Sequence, residues 1–500
     1  MPKLGSWFPR LVIVAGLLAT LTWVAQFNRI AEYDEALHLD VARNIYRNGV
    51  PIRSIGNGEA YLYHPPLYLY TLAPLTGPLV DGTLVGRWVT AAFGLFTVML
   101  TFRLGTDLGG ETASLIAGAL VAVSPLFQTY AFNIQAEAML AALILAGLLV
   151  FVRGHLDGQM RYTWLAGILF ALAVWIKFLA VIPIVACALF ALLQFKRRRL
   201  LYCWVALSVP VVLALALWVI FGMWLDRAVF LSVMRDWFSG PQWPWDARTH
   251  FTLTGWLTVV ARDVLSYPLT FLLLATLPWR FRVYRHKTSV LLLELYTGLM
   301  LIYTAFVSVK EVRHLIPLIP VVAILASIGI AEFLRAWHWP IRPAWQRAIL
   351  IGLAAIFFVE ASPLTLVRTT WPSSARDWLD VPYAVRVFGN DPYLTNVRDA
   401  GQYLNRTMPK DAIIPVVHEG TVTGYYADRR YILLYVLSYD WIAQVLADTD
   451  WLLVDKDLYP NLSADEIQKV KAYIAEHFEP VARFEKVGPP AIVYRRKPAP

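Results

Sequence analysis

Long apolar runs separated by short polar or basic stretches dominate the first 367 residues. Runs of about 17–25 residues can cross a bilayer core as helices. Such runs begin near Leu11, Thr83, Thr112, Glu137, Tyr162, Phe178, Leu200, Thr252, Ser289, Val312 and Ala348. The pattern predicts a polytopic α-helical membrane protein of about eleven spans, or about 11–13 transmembrane helices when marginal segments are counted. One such segment, 65–80, is short and Pro-rich and reads as a re-entrant loop or a twelfth span. From about residue 368 the pattern changes. Strand-length apolar runs at 412–417, 431–436, 451–454 and 491–494 alternate with helical periodicity around 397–405 and 464–477. A small α/β domain of about 130 residues follows, large enough for a modest core. The expected organisation is a transmembrane domain, 1–367, with a long external first loop, 28–82, and an extracytoplasmic α/β domain, 368–500.

Composition supports this division. The chain is 58% hydrophobic and only 16% charged, whereas soluble domains carry about a quarter charged residues. Twenty Trp and 24 Tyr suit the headgroup level, where amphipathic rings are stable. The net charge of +9 is concentrated in alternate short loops, 153–161, 196–199, 280–287 and 335–347. Basic loops stay cytoplasmic, so the surplus orients helices rather than binding nucleic acid. The N-terminus is then cytoplasmic, and a prokaryotic plasma membrane is the expected location. Lys3, Arg10 and the run 11–27 resemble a signal sequence, but the run is long and lacks a small-x-small cleavage site, so it reads as a retained first helix. Cys187 and Cys203 form no disulfide framework or metal-ligand spacing.

Candidate chemistry gathers on the side opposite the basic loops. Asp34 and Glu35 follow the first span, and Leu37, Val41 and Ile45 then mark a helical stripe that Asn48-Gly49 and Pro51 end. An amphipathic helix lying along the outer membrane surface is the natural reading. Asp34 as a simple N-cap is the bland alternative, and capping is compatible with catalysis. His64 precedes Pro65-Pro66, which force an extended entry into the next segment; an interfacial histidine satisfied by water is its plainer reading. Glu137 opens a span, where a carboxylate also suits the helix dipole. Lys177 interrupts an apolar stretch at an outer hairpin, as either a site residue or a snorkelling lysine. Lys310, Glu311, Arg313 and His314 open a late span. The Trp-rich stretch 235–245 reads as the lining of an acceptor groove or, the favoured reading, as a segment resting in the membrane interface. There is no Gly-rich phosphate loop, which disfavours a nucleotide-sugar donor. No metal ligands or cofactor are assigned, although a divalent metal is not excluded.

The Asp34-Glu35 pair, Pro65-Pro66-Leu67-Tyr68, the acidic Glu137 and Lys310-Glu311-Val312-Arg313-His314-Leu315-Ile316-Pro317 together resemble GT-C glycosyltransferases of the protein O-mannosyltransferase and aminoarabinose transferase superfamily, glycosyltransferase family 39-like. The resemblance covers nearly the whole chain. It implies a membrane glycosyltransferase, moving a hexosyl or pentosyl group with inversion from a polyprenyl- or dolichyl-phosphate sugar on the external face. It implies Asp34 as general base, Glu35 as its support or as a group that positions donor or acceptor, and Glu137 at the second acidic position. Arg313, Lys310, His314, His64 and Lys177 would serve the donor phosphate. Two positions depart from the family: His64 stands where a Lys is common, and Arg313-His314 where Arg-Tyr is common.

The chemistry asks for these groups independently. A hydroxyl is a poor nucleophile, and a carboxylate in hydrogen-bond reach is typically worth about 10²–10⁴ in rate. The leaving lipid phosphate needs cations, and Arg suits bidentate contact. Membrane lipid and the lipid-linked donor are the expected partners, while the acceptor stays open among glycolipid, polysaccharide and protein hydroxyls. A secondary transporter with an external accessory domain is the main rival; transporters place ionisable groups near the midplane and often show repeats. A non-catalytic membrane scaffold would leave the charged motifs without a role.

Overall fold

The computed structural model describes residues 9–18, 33–239, 253–265, 267–284, 287–306, 312–336, 392–456, 459–486 and 489–498. Lys310, Glu311, the span expected from Ala348 and the stretch 240–249 lie outside the described residues. The chain divides into two compact units.

The first unit takes in 62–68 and 88–336 of the described residues, with the Pro9–Leu18 helix. It is a helical membrane body. Among the described residues, four helices are long and apolar enough to span by length and composition, Thr83–Gly109, Glu137–Leu156, Arg197–Asp236 and Leu318–Ala336, and the bent pair Glu111–Val123 and Leu126–Phe132 adds a fifth. Arg161–Val174, Phe178–Gln194 and Ser289–Ala305 are shorter apolar helices at expected positions. The segment 65–80, read as re-entrant or as a twelfth span, holds a ten-residue helix, Leu67–Thr76, with Pro74 inside it. At about 1.5 Å per residue it is too short to cross a bilayer.

Helix Leu318–Ala336 is buried on every face from Leu318 to Ala331, as an all-round apolar sequence requires. Small residues let other helices approach closely. A Cβ on Gly167 would stand 2.2 Å from the Ala206 carbonyl oxygen, and one on Gly147 would meet the Phe170 ring at 2.4 Å. In Arg197–Ser239 the extended Asp226 breaks the helix, and its carboxylate accepts from the Val229 N–H at 3.0 Å. Trp218 and Phe230 would be about 18 Å apart along an unbroken helix, yet their ring centroids lie 5.7 Å apart. The chain therefore folds back at Asp226.

Four basic segments converge on the turn that ends Thr83–Gly109. Arg10 pairs with Glu111 at 2.8 Å, Arg153 with Asp107 at 2.8 Å, and Lys287 and Arg335 donate to the carbonyls of Leu108 and Gly109, each at 2.9 Å. Orphan carbonyls at a helix C-terminus attract cations. Three of the four loops that the charge pattern assigned to one side, 153–161, 280–287 and 335–347, thus meet the N-terminal Arg10 on one face of this unit.

The second unit takes in the described residues of 25–61, 69–87 and 387–500. Its sheet has the order β4-β3-β5-β7-β6, with β3 Ile413–Val416, β4 Arg430–Leu433, β5 Trp451–Val454, β6 Phe478–Phe484 and β7 Ala491–Arg496. β3 runs parallel to β4 and β5, while β7 is antiparallel to β5 and β6. Alternate residues feed two cores: Ile414, Val416 and Leu453 on one face with Leu404, and Leu452 on the other with Ile442, Val470 and Ile474. Ser463 and Glu466 form a capping box that starts helix Ala464–His477.

The first loop is part of this unit. A small hairpin, β1 Ile52–Arg53 with β2 Glu59–Ala60, leads to a parallel bridge between Ile55 and Tyr431. Tyr431 N–H donates to the Ser54 carbonyl at 2.9 Å, and Gly56 N–H to the Tyr431 carbonyl at 2.8 Å. The loop thereby covers the β4 edge.

Candidate active site

In the second unit, helix Tyr33–Asn48 carries Asp34 and Glu35 in its first turn. The amphipathic surface helix expected from the sequence is corrected here. The helix packs on Gly420–Ala427 of the sheet domain, and its buried residues include Asp40 and Arg43 as well as Leu37, Val41 and Ile45. Its polar side is covered by protein because Asp40 accepts from Ser54 N–H at 2.8 Å and Ser54 Oγ at 2.6 Å. Burial raises the Asp40 carboxyl above its ordinary pKa, outweighing the Ser54 hydrogen bonds and the nearby Arg43 charge.

Asp34 is half-buried. Glu35 is fully buried and grips Arg87: Nε donates to Oε1 at 2.8 Å and Nη2 to Oε2 at 2.5 Å. Both carboxylate oxygens are therefore engaged by one planar fork. That geometry suits a group that fixes the turn bearing Asp34. Arg87 did not emerge from the sequence; a lone Arg in the first turn of a span is the only local signal.

In the first unit, Glu137 opens helix Glu137–Leu156 and is 1% exposed. Lys177, also buried, donates its ammonium to Glu137 Oε1. Arg313 Nε lies 3.9 Å from the same oxygen, and its Nη1 donates to Gln135 Oε1 at 3.4 Å. One carboxylate thus faces two cations, leaving a net charge of +1 on the three side chains. Arg313 and His314 sit in the 3₁₀ turn Val312–Leu315 that leads into helix Leu318–Ala336. Lys177 has extended backbone just before the turn Phe178–Ala180.

The His64 segment reaches the same hairpin. Leu67 N–H donates to the Trp175 carbonyl at 3.1 Å, two residues before Lys177, and Trp175 Nε1 is itself anchored on the Ala214 carbonyl at 2.7 Å. Pro65 and Pro66 cannot donate here, so Leu67 makes the first backbone link after them. The His64 ring packs edge-on against Tyr63, centroids 6.4 Å apart. The structure therefore joins Glu137, Lys177 and Arg313 directly and ties the His64 loop to the Lys177 hairpin by backbone. Among the described residues, no group of three or more His, Cys, Asp or Glu could hold a metal ion.

The chain, a body of packed apolar helices and a mixed sheet domain, has the fold of the GT-C glycosyltransferases. A family model described as dolichyl-phosphate-mannose-protein mannosyltransferase matches residues 63–224, the stretch that holds His64, Glu137 and Lys177. The ArnT of Cupriavidus metallidurans bound to undecaprenyl phosphate is similar at a TM-score of 0.68 and 13% identity, over 99% of each chain. Its apo form is similar at 0.68 and 14%, over 97% of each. The oligosaccharyltransferase AglB of Archaeoglobus fulgidus, in complex with an inhibitory peptide and a dolichol-phosphate, is similar at 0.58 and 13%, over 90% of this chain and 70% of that one. No curated protein sequence matches. At 13–14% identity these likenesses show the fold.

Proposed function

We propose that the protein transfers a sugar from a polyprenyl- or dolichyl-phosphate carrier to an acceptor hydroxyl on the external membrane face, with inversion. Asp34 removes the hydroxyl proton as the acceptor oxygen bonds to the anomeric carbon and the bond from that carbon to the phosphate oxygen breaks. Glu35, clamped by Arg87, holds the turn that presents Asp34. Lys177 and Arg313, with Lys310, His314 and His64, receive the lipid phosphate and balance the charge that develops as it leaves. Glu137 orients the two cations. The observation that carries this reading is the buried pair of Glu137 and Lys177, with Arg313 3.9 Å from the same carboxylate oxygen, in a chain of GT-C fold. A buried charge within a membrane body is costly and marks a working site by default.

The sidedness in this proposal follows the basic loops: N-terminus cytoplasmic, first loop and α/β domain extracytoplasmic, in a prokaryotic plasma membrane. Purified protein is tested with undecaprenyl- and dolichyl-phosphate carriers of mannose, glucose and aminoarabinose. Turnover of at least one by the parent, and a loss of at least about 10² in rate in Asp34→Asn with the fold intact, is the expected result. Parental turnover by Asp34→Asn removes the base assignment.

A further inference from the structure

The helix that carries Asp34 in its first turn is fastened toward its other end by two arginines that share one carboxylate. Arg43, 4% exposed, donates to the Tyr425 carbonyl at 2.9 Å, to Asp428 Oδ1 at 3.2 Å and to the Val80 carbonyl at 2.9 Å. Its guanidinium lies 4.6 Å from the Tyr425 ring centroid, and the Tyr425 hydroxyl accepts from Gly82 N–H at 2.7 Å. Arg47 closes a fork on the same carboxylate, with both nitrogens 2.8 Å from the two Asp428 oxygens. Asp428 follows helix Gly420–Ala427 in the left-handed region, at φ 52°, and among the described residues it is the one non-glycine with positive φ. Glycine would adopt that backbone more easily, so the side chain is retained at some conformational cost, and strain of this kind collects at working sites.

Resting on the reading of Asp34 as the base, we infer that Asp428 is a positioning residue for transfer: through Arg43 and Arg47 it sets the axis of the helix that presents Asp34. Nine residues separate Asp34 from Arg43, about 13 Å of helix. A swing of about 5° over that length moves the Asp34 end by about 1 Å, and a misplacement of about 1 Å can cost about 10² in rate. The Glu35–Arg87 grip holds the first turn at one point; the arginine clamp adds the direction. The α/β domain is then a working part of the catalytic apparatus rather than an accessory.

The test uses the full chain in detergent, with the donor lipid the parent turns over fastest. Rates are counted per site that binds undecaprenyl phosphate, so misfolded protein does not enter. Asp428→Gly suits the backbone and removes the carboxylate; Asp428→Asn keeps one acceptor. The expected single-turnover rate falls about 10–100-fold for Gly and less for Asn, with undecaprenyl phosphate affinity unchanged. In an Asp34→Asn background Asp428→Gly costs nothing further, because residues acting as a unit do not add. A parental rate in Asp428→Gly, or the same fold-loss in both backgrounds, overturns the inference while leaving Asp34 as base. Full activity of Asp34→Asn alone removes the base reading first.

Discussion

Arg87→Met is the perturbation whose size the structure fixes best. Glu35 and Arg87 side chains are each 1% exposed and joined by two hydrogen bonds. Opposite charges about 4 Å apart at an effective dielectric of about 20 attract by about 4 kcal/mol. Removing one partner of a buried pair costs about 3–5 kcal/mol, because the other charge is left dry and unpaired. For a domain of 150–250 residues each kcal/mol is worth about 2–4 °C, so the melting point should drop by about 6–20 °C. The double variant Glu35→Leu with Arg87→Met leaves no stranded charge and should regain most of that loss. Scanning fluorimetry of the purified protein in one detergent compares the three. If Arg87→Met melts within about 2 °C of the parent, the carboxylate finds water or another donor and the argument fails. The same double variant should keep measurable transfer if Glu35 only positions its neighbour; a rate as low as that of Asp34→Asn would make Glu35 a chemical group.

In the first unit, Lys177→Met leaves Glu137 with Arg313 at 3.9 Å; donor turnover should fall, and adding Glu137→Gln should restore stability but not turnover, as melting and donor kinetics would report. The clamp on the α/β domain has an acid limit. Burial pushes the Asp428 carboxyl up, but the Arg47 hydrogen bonds and the charges of Arg43 and Arg47 outweigh it and hold its pKa below the ordinary value. Its stabilisation is therefore complete above about pH 4, the ordinary Asp value, and is lost as pH falls through the lower folded value. Melting of parent and Asp428→Asn against pH should converge below pH 4; a constant gap would contradict this. Gly167→Val places a side chain against the Ala206 carbonyl, where the obstacle is backbone, and should abolish monodisperse behaviour on size exclusion.

Much of the fold could be read from the residues. Helix Ala464–His477 and strand Trp451–Val454 fall where periodicity put them, and span starts at Thr83, Glu137 and Ser289 coincide with helices. Helix Gly420–Ala427 was not foreseen, for a physical reason. All eight of its residues are buried, so it has no polar face to create a helical period, and its Thr, Val and Tyr content resembles a strand. Strand β6 and helix Tyr439–Ala447 were likewise missed. The acidic candidates were visible from their type and place, but their partners were not. Glu35 finds Arg87 across 52 residues and Arg43 finds Asp428 across 385, and local pattern carries no information over such separations. Arg43 illustrates this best: on a surface helix it reads as a solvated charge, and only the fold shows it dry.

The hairpin that lies over β4 makes the C-terminal tail a poor candidate for transplantation. Cut free at residue 387, the sheet would lose the backbone partners that Ser54 and Gly56 give Tyr431. Arg430–Leu433 would become a naked rim able to recruit a sister chain, strand to strand. The opposite rim is better defended, since β6 carries Glu479, Pro480 and Arg483. Any graft of this tail onto another membrane body must bring 33–60 with it, so that what looks like an appendage in sequence travels as one inseparable piece.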